Sequence, residues 1–114
     1  MVLVVEDEPR ILRFVSISLR VSGYNVVSTM RGDQAIDLVK SEEPDIIVLD
    51  VFLPGADGFE VLKELRTFSQ LPVIVMSARD SLGPDALALG ATEFMAKPFR
   101  PEQLIRKMRN ILCE

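Results

Sequence analysis

The chain has 114 residues, a net charge of −4 and an apolar fraction of 48%, which fits one domain with its own core and lacks the basic excess of a nucleic-acid-binding surface. It has no histidine and one cysteine, Cys113, which excludes Ser-His-Asp and Cys-His catalysis, histidine metal sites and an internal disulfide, and a cytoplasmic, reducing setting is expected. No apolar run approaches the roughly 20 residues of a membrane-spanning helix, and Met1-Val2-Leu3-Val4-Val5 does not read as a signal peptide, so neither a membrane nor a nucleic acid is an expected partner of this domain itself.

Val2-Leu3-Val4-Val5 is a β-branched run without alternation, the pattern of a strand covered on both faces. Pro9 opens a helix predicted through Ser22, with Ile11, Leu12, Val15 and Leu19 at helical spacing and Gly23 as its stop. Asn25–Ser28 is a less apolar strand, suited to a sheet edge. Asp33–Val39 reads as a helix with Ala35, Ile36 and Val39 inward, broken by Pro44. Asp45–Asp50 is the clearest strand, four aliphatic residues followed by an acid. Pro54-Gly55 and Asp57-Gly58 mark a turn-rich loop, and the helix Phe59–Thr67 buries Phe59, Leu62 and Leu65. Pro72 leads into the strand Val73–Met76, closed by Ser77. Arg79–Pro84 reads as loop and Asp85–Leu89 as a short helix ended by Gly90. Glu93–Ala96 is the last strand, Pro98 is a candidate for a cis bond, and Pro101–Leu112 is a closing helix with Leu104, Ile105, Met108, Ile111 and Leu112 inward.

Five βα units in succession predict an α/β fold: a single doubly wound, five-stranded parallel sheet, (βα)5 and flavodoxin-like, with strand order 2-1-3-4-5. Residues 1–114 read as one domain.

In that order the strands that end in Glu6-Asp7, Asp50, Ser77 and Lys97 are consecutive neighbours, and ligands of such sheets bind beyond the carboxyl ends of the strands. Glu6, Asp7 and Asp50 would crowd negative charge there and raise one another's pKa. Mg²⁺, which takes hard oxygen ligands and keeps several waters, would relieve that repulsion, with the backbone carbonyl of Phe52 as a further ligand. Asp50 is the candidate nucleophile, since a carboxylate attacks phosphorus to give an acyl phosphate. Lys97 supplies a point charge and Ser77 a hydroxyl for a phosphoryl oxygen. Singly, each residue also fits a plainer role as a solvated strand end, a helix cap or a turn starter. It is the set, placed at adjoining strand ends, that points to phosphoryl chemistry.

With these residues in place, the chain closely resembles the receiver domain of two-component response regulators. The matching stretches are VLVVEDEP (Val2–Pro9), DIIVLDVFLPGADGFEVL (Asp45–Leu62), PVIVMSA (Pro72–Ala78) and GATEFMAKPF (Gly90–Phe99). The resemblance implies that Asp50 accepts a phosphoryl group from a phosphohistidine on a sensor histidine kinase or phosphotransfer protein. It implies that Glu6 and Asp7 bind Mg²⁺ together with Asp50 and the Phe52 carbonyl, and that Lys97 contacts the acyl phosphate. Ser77 matches the switch hydroxyl and Phe94 the switch aromatic, whose inward turn alters the surface of the fourth helix, fifth strand and fifth helix and engages a partner or a second copy.

The closing run KPFRPEQLIRKMRNIL is similar to receivers that precede winged-helix DNA-binding domains, so transcriptional control through an attached output domain is expected. The stretch Arg79–Leu89 is shorter than the family spacing and has no basic residue after Arg79, which leaves the dimer mode open. Phe52 and Arg79, two residues past Asp50 and Ser77, would flank the path of attacking water and slow self-dephosphorylation.

The chain thus reads as a signalling switch that catalyses only its own phosphorylation and dephosphorylation. A Mg²⁺-dependent phosphohydrolase with an aspartyl-phosphate intermediate is the alternative, disfavoured by Phe52 where such enzymes carry a second acid. A receiver that only docks partners is a third reading, disfavoured by the complete acidic, hydroxyl and lysine set.

Overall fold

Three all-apolar runs make the centre of the fold. In the computed structural model, which describes residues 1–113, they form β1 (Val2–Val5), β3 (Ile46–Asp50) and β4 (Val73–Ser77), each buried along its whole length. The flanking strands are β2 (Val26–Thr29) and β5 (Glu93–Ala96), both partly exposed. All pairings are parallel and the order is β2-β1-β3-β4-β5, as the sequence predicts, giving the flavodoxin-like doubly wound arrangement.

Between the strands run α1 (Pro9–Val21), α2 (Ala35–Glu42), α3 (Gly58–Arg66), α4 (Gly83–Ala88) and α5 (Pro101–Leu112). Side chains alternate across a strand, so the sheet feeds two cores. Leu3, Val5, Ile47, Leu49, Val73 and Val75 face one layer, with Ile36, Val39, Val61, Leu62 and Leu65 from α2 and α3. Val2, Val4, Ile46, Val48, Ile74 and Met76 face the other, with Val15, Leu19, Leu104 and Met108 from α1 and α5. Burying each of these aliphatic side chains contributes about 1.5–3 kcal/mol before ordering costs. No helix among the described residues is long and apolar enough to cross a membrane.

Local chemistry sets the helix starts. The Glu8 carboxylate accepts from the N–H groups of Arg10 and Ile11 at 3.1 and 3.0 Å, capping α1 ahead of Pro9. Asp57 caps α3 through the Glu60 N–H at 2.9 Å.

Two helices depart from the sequence expectation. The helix expected over Asp33–Val39 is a 3₁₀ turn at Gly32–Gln34 followed by α2, which runs on to Glu42. The segment Arg79–Pro84 is not all loop: a 3₁₀ turn at Asp80–Leu82 leads into α4, which starts at Gly83 rather than Asp85 and ends at Ala88. Pro84 is accommodated because the first turn of a helix has N–H groups without intrahelical partners. The other boundaries shift by one residue: α1 ends at Val21, β2 spans Val26–Thr29, and α3 spans Gly58–Arg66. The Lys97–Pro98 bond is cis.

Candidate functional site

Parallel register brings the strand ends to a common edge. Val5 pairs with Leu49, Asp50 with Met76, and Ser77 with Ala96. The exits are fixed by the backbone bonds Glu6 N–H to Thr29 O at 3.1 Å and Lys97 N–H to Ser77 O at 2.8 Å.

Glu6, Asp7 and Asp50 each present a carboxylate oxygen, and these oxygens lie within 4.8 Å of one another. Glu6 is fully buried, Asp50 nearly so, and Asp7 is exposed. The ammonium of Lys97 bridges the inner pair, 2.7 Å from Glu6 Oε1 and 3.3 Å from Asp50 Oδ2. Asp50 Oδ1 accepts from the Val51 N–H at 2.8 Å. Glu6 Oε2 is buried and has no hydrogen-bond partner among the described residues. Burial pushes the Glu6 carboxyl up from 4.5 to about 8; Asp50 adds to the rise and Lys97 opposes it. Loss of water around the carboxylate therefore outweighs what one cation returns.

This donor set fits a hard divalent cation. It consists of oxygens, it gathers three carboxylates at a solvent-open rim, and it leaves one buried carboxylate oxygen without a donor.

Ser77 is fully buried, and its Oγ accepts from the Arg79 N–H at 3.1 Å. Phe94, on β5, is half-buried against the core layer of α2 and α3. Its ring lies against the start of α4, where a Cβ on Gly83 would come within 3.1 Å of Cδ1. Phe52 stands at the rim with its side chain half exposed, and its ring centroid is 5.3 Å from the guanidinium carbon of Arg79. The structure thus draws together Glu6, Asp7, Asp50 and Lys97, and places Ser77 on the adjoining strand. Phe94 lies apart, on the edge strand β5.

The sequence reading missed the glycines that hold the loop after Asp50. The Gly58 N–H donates to Val51 O at 2.7 Å, and a Cβ at Gly58 would lie 2.2 Å from the Asp50 carbonyl oxygen. The Gly32 N–H donates to Pro54 O at 3.0 Å, and a Cβ there would lie 1.7 Å from the Ala56 carbonyl oxygen. The dense turn residues of Pro54–Gly58 were the available signal; read as a turn, they gave no hint of how tightly backbone meets backbone.

The family profile of the response regulator receiver domain matches residues 2–109. The chain belongs to this family. Solved structures agree. The receiver domain resembles that of Francisella response regulator 1452, at 32% identity and a TM-score of 0.91 over 97% of this chain and 93% of that one. It resembles the BeF3-activated N-terminal receiver domain of Klebsiella pneumoniae RstA at 30% identity and 0.93, over 99% and 98%. It also resembles the receiver domain of the sensor histidine kinase PA1611 from Pseudomonas aeruginosa PAO1, at 29% identity and 0.91 over 99% and 97%, a structure with a magnesium ion coordinated in its active site cleft. Receiver domains are signalling switches of two-component systems; they interact with histidine kinases or phosphotransfer proteins and bind Mg²⁺ at an acidic site.

Proposed function

We propose that this receiver domain accepts a phosphoryl group on Asp50 from a phosphohistidine of a sensor histidine kinase or phosphotransfer protein. The observation that carries the reading is the convergence of Glu6, Asp7, Asp50 and Lys97 at one rim. A carboxylate oxygen of Asp50 bonds to phosphorus, the P–N bond to histidine breaks, and the imidazole leaves with the electron pair. The residues that would hold Mg²⁺ are Glu6, Asp7, Asp50 and the backbone carbonyl of Phe52. When bound, the ion neutralises charge on the transferring group.

Lys97 contributes a cation at the same oxygens. Its pairing with Asp50 Oδ2 holds the carboxylate in place and meets the added negative charge of the phosphoryl group. The Ser77 hydroxyl, which spends only an acceptor lone pair on Arg79, has its own proton to give to a phosphoryl oxygen.

Donor docking is supported by an apolar stripe on α1, where Phe14, Ile17 and Val21 are exposed at helical spacing. A cleft of about 410 Å³ joins Phe14 to Pro98, Phe99 and Lys97, so the stripe is continuous with the mouth of the site. For the output, the surface of α4, β5 and α5 carries the Glu93–Lys107 ion pair at 3.5 Å and exposed Leu87. On this reading it engages an output domain or a second copy once Asp50 is charged.

Incubation with Mg²⁺ and acetyl phosphate, followed by intact mass, tests the reading. A single phosphate adduct that Asp50→Asn abolishes is expected. Absence of an adduct both from acetyl phosphate and from a panel of autophosphorylated kinases would refute it, and sustained turnover of a phosphoester would favour a phosphohydrolase instead.

A further inference from the structure

We propose that the groove between α1 and the edge strand β2 binds a diphosphate group, free or as part of a nucleotide, through Arg13, Ser16 and Arg20.

These residues are spaced three and four apart on α1 and so form one stripe along the helix. The stripe borders a groove of about 310 Å³ that Ser28 of β2 and Met30 also line. Because β2 is the edge of the sheet, no further strand covers this side. The groove is separate from the cleft beside Lys97, which Ile11, Phe14 and Val15 line on the other flank of α1.

Ser16 is 4% exposed, and its Oγ has no hydrogen-bond partner among the described residues. A mid-helix serine can settle its hydroxyl on the carbonyl four residues back. Ser18 of the same helix does so, donating to Phe14 O at 2.8 Å. Ser16 does not, although burial makes an unpaired hydroxyl costly. Its proton is free for a ligand oxygen in the groove that the residue lines.

The charges point the same way. α1 carries Arg10, Arg13 and Arg20 and no acid from Pro9 to Val21, in a chain whose net charge is −4. Neither Arg13 nor Arg20 has a carboxylate within 4.0 Å among the described residues, whereas Arg31, on the loop after β2, is paired with Asp33. The Arg20 guanidinium makes one long hydrogen bond, 3.5 Å to Val26 O, which ties it to β2. Guanidinium forks match the paired oxygens of a phosphate. Seven helical residues set the two arginines about 10 Å apart along the axis, with Ser16 between them. That spacing suits two linked phosphate groups, one at each guanidinium, better than a single phosphate. Ile17 and Met30, both exposed, border the groove and offer an apolar edge to the base of a nucleotide.

The test titrates pyrophosphate, ADP and inorganic phosphate into the isotope-labelled domain and follows amide shifts by NMR. Ionic strength is held constant, and EDTA keeps metal from the acidic rim. Pyrophosphate and ADP should give saturable shifts across Arg13–Arg20 and at Ser28, with inorganic phosphate at least about fivefold weaker. Additional shifts at Met30 with ADP would identify a nucleotide as the ligand; equal binding of pyrophosphate and ADP would identify the diphosphate alone. Arg13→Gln and Arg20→Gln should each weaken pyrophosphate binding about three- to tenfold, and Ser16→Ala about threefold. Arg10→Gln, on the same helix but off the stripe, should stay within about twofold of the parent, because screened charge alone discriminates little. Ser16→Ala should keep or raise the thermal midpoint, since it removes an unpaired buried group. The proposal is overturned by absence of saturable shifts at these residues, by inorganic phosphate binding as tightly as pyrophosphate, or by a loss in Arg10→Gln as large as in the other arginine variants. Unchanged affinity in Ser16→Ala also overturns it, as does a lowered midpoint, which would mean that the hydroxyl is already satisfied within the fold.

Discussion

Lys97 stands 91 residues from Glu6 along the chain and 2.7 Å from it in space. The contact joins the end of the first strand to the end of the last across the two strands between them. It makes one lysine serve two purposes: it pairs with the fully buried carboxyl of Glu6, and it stands 3.3 Å from Asp50 Oδ2. Breaking a buried pair by removing one partner leaves the other uncompensated, which costs far more than the intact pair contributes.

At a pH above about 8, where the Glu6 carboxyl is ionised, Lys97→Met should therefore destabilise the domain by about 3 kcal/mol, read from urea unfolding in EDTA. At lower pH the loss should be smaller, because Glu6 then holds a proton. Glu6→Gln in the same background should recover part of the stability, because a neutral amide no longer needs the cation. A Glu6→Gln effect of the same size in the parent and in Lys97→Met would show that the pair carries no coupling.

Glu6 also sets a pH dependence. Its carboxyl is raised from 4.5 to about 8, chiefly by burial, so between these values the folded state holds a proton that the unfolded state has released. Stability of the metal-free domain then falls as pH rises from about 4.5 to about 8, by at most about 1.4 kcal/mol per pH unit for one proton. Below this window the contribution of protonated Glu6 is fully present, and above it the contribution is gone. Thermal midpoints in EDTA between pH 5 and 8 should fall more steeply in the parent than in Glu6→Gln; parallel curves would contradict the assignment.

The loop that follows Asp50 is shaped by backbone contact rather than by side chains. Gly58→Ala would place a methyl carbon 2.2 Å from the Asp50 carbonyl oxygen, with Val51 Cα at 2.8 Å. Neither neighbour is a flexible side-chain end, so the loop must shift. A cost of at least about 1–3 kcal/mol is expected from urea unfolding. Because Phe52 lies in the displaced segment, Mg²⁺ affinity measured by calorimetry should drop as well. A variant with parent stability and parent Mg²⁺ affinity would show that the close approach is dispensable.

The central strands were legible because β1, β3 and β4 bury both faces and so carry unbroken aliphatic runs, and the parallel order followed from the βα rhythm. The site was legible as far as strand ends determine it: Glu6, Asp7, Asp50, Ser77 and Lys97 each close an apolar run or follow one. What was not legible depends on reach and on neighbours distant in sequence. Lys97 could be placed at the rim, but its reach back to Glu6 could not. Gly83-Pro84 carries breaker residues, yet Pro84 fits a helix start, and Gly83 packs so closely against the Phe94 ring that a Cβ there would lie 3.1 Å from Cδ1. Phe94 could be picked out, but its inward or outward setting depends on that packing and not on its own strand.

Ser77→Ala separates transfer from switching. Among the described residues the hydroxyl takes part in one hydrogen bond, accepting from the Arg79 N–H at 3.1 Å. Its loss should cost about 0.5–1.5 kcal/mol and leave the fold and the Asp50–Lys97 pair in place. Phosphate uptake from acetyl phosphate should persist, because Asp50 and the acidic set are untouched. The response of β5 should not persist if, as proposed, Ser77 answers the phosphoryl group, since Ser77 is the neighbour of Ala96 in the sheet. Amide shifts at Phe94 and Met95, followed by NMR on addition of Mg²⁺ and beryllofluoride as a phosphoryl stand-in, should be large in the parent and much reduced in Ser77→Ala. Shifts of equal size in both proteins would mean that the charge on Asp50 reaches β5 by a route that does not use this hydroxyl.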